Sequence, residues 1–158
     1  MNHVTQVKVA LKRWLLDTLP LKLVEADGAA ADGVTTPPPY EIHTTEKADL
    51  GGLPSIEFVV LESTPQVNSY AQVYRHRMAV GYTVGGDDEE RTTIVGERYM
   101  WALRRVARDT QLDPTQAPGG SPIDTGVEQY TPLAQRPGGV ETPFVKGGYL
   151  EMFVTTVE

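Results

Sequence analysis

The run Tyr74–Val84, YRHRMAVGYTV, constrains this chain more than any other. Tyr74, His76, Met78, Val80, Tyr82 and Val84 fall on one side of a two-residue repeat. Arg75, Arg77, Ala79, Gly81 and Thr83 fall on the other. Side chains alternate in this way only along a β-strand, and the more apolar side must face a core. Gly85-Gly86 follows and is expected to turn the chain directly into DDEERTTIVGERYMWALRRVARDT, where the period becomes helical. A half-buried strand delivered straight to an amphipathic helix calls for a sheet with helices packed on it.

That helix is expected to begin at Asp87 or Asp88 and to run to about Arg108. Asp87, Asp88, Glu89 and Glu90 lie where N–H groups lack intrahelical partners and the macrodipole is positive, and Arg104, Arg105 and Arg108 lie at the negative end. Each such charge contributes about 0.3–1 kcal/mol. The acidic run therefore reads as a helix start rather than a metal or catalytic cluster, because neighbours on one turn point their oxygens in different directions. Val95, Tyr99, Ala102 and Val106, with Leu103 at the edge, form the core-facing stripe. Ile94 and Trp101 lie about 100° or more to one side, and Met100 lies on the far side. Such residues are covered either by a loop or by another subunit.

The N-terminal stretch from about Thr5 to Leu19 reads as a second amphipathic helix. Its face is Val4, Val7, Leu11, Trp14, Leu15 and Thr18, and Pro20 is expected to stop it. Val9 and Leu16 fall off that face, so Val9, Leu16, Ile94, Met100 and Trp101 are the candidate subunit-interface residues. Residues Ala26–Pro39, ADGAAADGVTTPPP, are expected to be a mobile loop. A short strand is expected at Tyr40–Thr45 and a longer one at Ser55–Ser63. The latter has Ile56, Phe58 and Val60 on one face and Val59 and Leu61 on the other, which suggests a central place in a sheet. Further strands are expected around Ile123–Tyr130, Val140–Lys146 and Tyr149–Val157. The pairs Gly51-Gly52, Gly85-Gly86, Gly119-Gly120, Gly138-Gly139 and Gly147-Gly148 read as turns. The order gives an α+β class: one domain over 1–158, with a largely antiparallel sheet packed against two main helices.

Composition narrows the function classes. The absence of cysteine excludes disulfides and thiolate metal sites. His3, His43 and His76 lack the spacing of a helical zinc motif. No serine among Ser55, Ser63, Ser69 and Ser121 sits in a nucleophile-elbow pattern, and no phosphate-binding glycine motif is present. His76 reads as a packed or hydrogen-bonded histidine, and Arg75 and Arg77 as solvated or salt-bridged. No catalytic residue, metal ligand or cofactor is assigned, and an enzyme is not expected. A formal net charge of −7 argues against a sequence-reading nucleic-acid binder, but suits a surface that nucleic acid slides past. The charged N-terminus and the lack of a long apolar run give no reason to expect a signal peptide or a membrane span.

The central stretch VYRHRMAVGYTVGGDDEERTTIVGERYMWALRRVAR resembles the tail terminator (tail completion) proteins of long-tailed bacteriophages. The likeness lies in an alternating strand leading into a helix with Tyr99 and Ala102-Leu103 on its inner face, and in the closing strand YLEMFVTTVE. The resemblance implies a structural virion protein of the tail–neck junction, assembled in the host cytoplasm. Such a protein forms a ring, usually hexameric, that caps the head-proximal end of the tail tube and stops tube polymerisation. Its partners would be further copies of itself, the tail tube protein and a neck or head-closure protein. Viral DNA would pass through the lumen without sequence-specific binding. Alternatives are another neck component, such as a head–tail connector or stopper, or a small-molecule-binding or enzymatic α+β domain.

Overall fold

The computed structural model describes residues 3–44, 52–66, 73–109, 120–124 and 144–157. Its elements follow the order α1 (His3–Ala30), β1 (Glu41–His43), β2 (Ser55–Gln66), β3 (Val73–Gly86), α2 (Glu89–Asp109), β4 (Gly120–Asp124) and β5 (Phe144–Val157). The strands form one sheet in the order β1-β2-β3-β5-β4. The β1–β2 pairing is parallel and the other three are antiparallel, so the α+β class and the largely antiparallel sheet both hold.

The alternation of β3 becomes the organising row of the core. Its His76, Met78, Val80, Tyr82 and Val84 are all buried. Register extends each position sideways: Phe58, Val80 and Leu150 stand abreast, as do Ile42, Ile56 and Tyr82. Cross-strand rows of this kind are the unit of sheet stabilisation. Helix α2 lies over β3 and β5, and α1 lies beside α2 and reaches β1. Val95, Tyr99, Ala102, Leu103 and Val106 all face inward as expected, and each large side chain fully buried there contributes about 1.5–3 kcal/mol.

Several expectations need correction. Pro20 does not stop α1, which continues through it to Ala30. Proline cannot donate to the Leu16 carbonyl and costs about 3 kcal/mol inside a helix. The residues beyond it offset that cost, since Leu23 and Ala26 are buried. The loop expected at Ala26–Pro39 therefore begins five residues late, because Ala26–Ala30 is helical. The helix ends with the Ala31 N–H donating to the Asp27 carbonyl at 3.1 Å while Ala31 takes a φ of 50°. That geometry is a left-handed cap, a position usually given to glycine.

Glycine pairs mislead twice more. Gly147-Gly148 is not a turn but lies within β5, opposite Thr83 and Tyr82. The two strands expected around it are thus one over the described residues, Phe144–Val157. Gly85-Gly86 ends β3, paired with Val145 and Phe144, and the bend comes at Asp87-Asp88. Strand β2 has β1 beside it only from Ser55 to Glu57, so the central strand of the described sheet is β3. At the bulge between Val60 and Glu62, Leu61 is exposed. Strand β4 starts at Gly120, earlier than expected. The expectations for 125–143, including a turn at Gly138-Gly139, lie outside the described residues, as does the one for Gly51.

Candidate subunit-contact surface

Val9 and Leu16 lie on the outer side of α1, 44% and 52% exposed. The continuation of α1 past Pro20 adds two more large apolar side chains, Leu21 at 66% and Val24 at 69%. From Val9 to Val24 the helix rises about 22 Å, so these residues extend along much of its length. Four of the six large apolar residues exposed among the described residues are on this one helix. The sequence signal for Leu21 and Val24 was hidden by ending the helix at Pro20.

Ile94 and Trp101 are both half-buried, seven residues apart and therefore on the same side of α2. Trp101 packs against the edge of the core, with the Arg105 guanidinium 5.2 Å from its ring centre. Met100 is not an available contact residue: it is 6% exposed and belongs to the core. The reason is the breadth of the sheet beneath α2. A Cβ at Gly96 would meet Val84, Lys146 and Tyr82 at 3.5–4.0 Å, so the helix sits close and its flank is covered from below. A cleft of about 500 Å³ remains beside that flank, walled by Tyr82, Gly96, Met100, Trp101, Arg104 and Lys146. Thr93 and Glu97 line both this cleft and a shallower hollow that holds Asp87–Glu90 and Ile94.

The acidic run begins a helix. An Asp88 carboxylate oxygen accepts the Arg91 N–H at 2.8 Å, and the Asp88 carbonyl accepts the Thr92 N–H and hydroxyl. This arrangement satisfies donors that a helix start otherwise leaves unpaired. Among the described residues no group of three potential ligands is arranged to hold a metal ion. On the sheet, Ser63 Oγ and His76 Nδ1 are 2.8 Å apart, so the histidine is packed and hydrogen-bonded. Arg75 lies 4.0 Å from the Phe153 ring centre and Arg77 is paired loosely with Glu62 at 3.9 Å.

Arg98 is a polar centre that the sequence reading passed over. Its guanidinium is buried and donates to Asp27 at 2.7 Å, to the Val34 carbonyl at 2.7 Å and to Asp32. Asp27 also accepts the Thr36 hydroxyl at 2.7 Å and N–H at 2.9 Å. Burial alone would raise the Asp27 carboxyl, but the Thr36 and Arg98 donors outweigh it and hold the group below the usual carboxylate range. Arg98, followed by the Val34 N–H, holds Asp32 low as well. One turn of this network fastens the end of α1 and the segment after it to α2. The neighbouring Tyr99 hydroxyl donates to the Pro37 carbonyl at 2.7 Å, and burial pushes its ionisation far above the ordinary range. The available signal was position: Arg98 falls three residues after Val95 and four before Ala102, on the apolar stripe.

In sequence the chain matches no protein-family model and no curated protein.

Proposed function

We propose that this protein is a structural subunit that assembles with copies of itself into a ring, in the manner of the phage tail terminators its central sequence resembles. In that reading the ring caps the head-proximal end of a tail tube, stops its growth and joins tail to neck in the virion. The observation that carries the reading is the set of large apolar side chains exposed on α1, Val9, Leu16, Leu21 and Val24, on a helix whose inner side is already committed to the core. Large apolar groups gathered on the outside of one helix mark a contact surface rather than a solvated one. The net charge of −7 suits a lumen that should not retain DNA.

Light scattering on the purified protein tests the reading. A mass that is a fixed multiple of one chain is expected, reached cooperatively as concentration rises. Replacing Leu16 and Val24 together by Asp should leave the melting temperature within a few degrees, since both are exposed, yet hold the protein at the mass of one chain. A wild-type protein that stays monomeric at every concentration, and that fails to bind isolated tail tubes, would sink the proposal. It would favour a small-molecule role for the cleft beside Trp101.

A further inference from the structure

The dipeptide Asp-Gly occurs twice near the end of α1, as Asp27-Gly28 and Asp32-Gly33. In such a pair the glycine nitrogen can attack the aspartate side chain, because glycine has no Cβ to hinder the approach. The nitrogen bonds to Cγ, water leaves, and a five-membered succinimide closes. Water then opens the ring at either carbonyl. One opening restores aspartate; the other gives isoaspartate, whose main chain runs through the former side chain. The water released is taken up again, so no other reagent is needed. The fold treats the two copies differently. Gly28 lies inside α1, where its N–H belongs to the helical ladder. Donors from Thr36 and Arg98 also occupy both oxygens of Asp27. Asp32 and Gly33 are exposed and lie beyond the helix. Gly33 takes a φ of 77°, and beyond its chain neighbours no atom stands within 4 Å of the place a Cβ would fill.

We propose that Asp32-Gly33 is the readiest site of aspartate isomerisation among the described residues, and that the Arg98 guanidinium sets how fast it converts. The tie of Asp32 to the folded core is the hydrogen bond from Arg98. Its other donor, the Val34 N–H at 3.1 Å, belongs to the same exposed turn. Arg98 first and Val34 second stabilise the carboxylate anion. The anion is a far poorer target than the neutral acid, which can lose its oxygen as water. The same bonds restrain the rotation that ring closure requires. Conversion has a structural consequence. In isoaspartate the free carboxylate sits directly on Cα and the main chain gains a methylene. One of the two carboxylates around Arg98 is thereby displaced, while Asp27 keeps its place.

Ageing the folded protein in neutral buffer tests this, with isoaspartate located by enzymatic methylation and fragmentation mass spectrometry. Cleavage after Lys22 and Lys47 leaves both sites in one peptide, so each is the control for the other. Isoaspartate is expected at residue 32 and not at 27 in the folded protein. In urea both sites should convert, and residue 32 should do so several-fold faster than in the folded chain. Arg98→Met, checked by circular dichroism, should speed conversion at 32 several-fold and leave 27 unconverted. Arg98→Lys, a milder change, should fall between that variant and the wild type. Conversion at 27 as fast as at 32 in folded protein would overturn the proposal. So would a rate at 32 that is the same in folded and urea-denatured wild type, a comparison that needs no variant to fold. A folded Arg98 variant that converts at 32 no faster than wild type would overturn the role of the guanidinium.

Discussion

Arg98 occupies a position of α2 that the helical repeat assigns to the core, and its charge is tolerated there because two carboxylates and a carbonyl surround it. Removing one partner of such a buried group costs more than the pair itself contributes, because the remaining charge is left uncompensated. Arg98→Met should therefore destabilise the protein by about 3 kcal/mol in chemical denaturation, at the low end of the usual range because Asp32 is partly exposed. The pH dependence has a definite sign. Asp27 and Asp32 are held below their ordinary value in the folded chain, so their contribution is complete above about pH 4 and is lost as pH falls through the folded values. Wild-type melting temperature should fall steeply below about pH 4, and that of Arg98→Met should fall less. Met100 teaches the complementary lesson at the same scale. A helical wheel gives angles but not the width of the sheet below, so a residue well off the stripe was still covered.

Helix α1 shows where element-scale reading succeeds and where it stops. Leu11, Trp14 and Leu15 are buried as the period requires, and the alternation of β3 and the stripe of α2 were equally legible. Periodicity is a property of the side chains themselves. The missed features depend on packing partners elsewhere in the chain: the run of α1 through Pro20, the continuity of β5 through Gly147-Gly148, and the parallel pairing of β1 with β2. Local rules assign proline and paired glycine to breaks, and tertiary packing overrode them in both cases. Pro20→Ala gives the size of that override for α1. It restores a donor for the Leu16 carbonyl and should stabilise the fold by about 1–3 kcal/mol, less a small loss from a freer unfolded chain. Thermal unfolding followed by circular dichroism checks this, and a lower melting temperature would mean that the proline is itself required by the packing.

At the scale of the molecule, β3 is paired on both sides for nearly its whole length, to β2 and to β5, and lies under α2. Its amides should exchange only by global opening and be the slowest in the protein, while Leu61 at the bulge exchanges early. The Thr36 amide is informative in the same experiment. Bonded to Asp27, it should be protected in the free monomer, against the expectation that its segment is a mobile loop. The long ladder of β3 with β5 also sets a kinetic problem. Val73 pairs with Val157 and Gly86 with Phe144, whereas β2, the other neighbour, lies close by in sequence. Until the residues after α2 have been made, β3 has only β2 to pair with, and the side that β5 will take is bare. Contacts so distant in sequence close slowly, in milliseconds to seconds. During that interval the chain presents an unpaired, apolar strand edge, and it is then, rather than in the finished fold, that it is most exposed to joining the wrong neighbour.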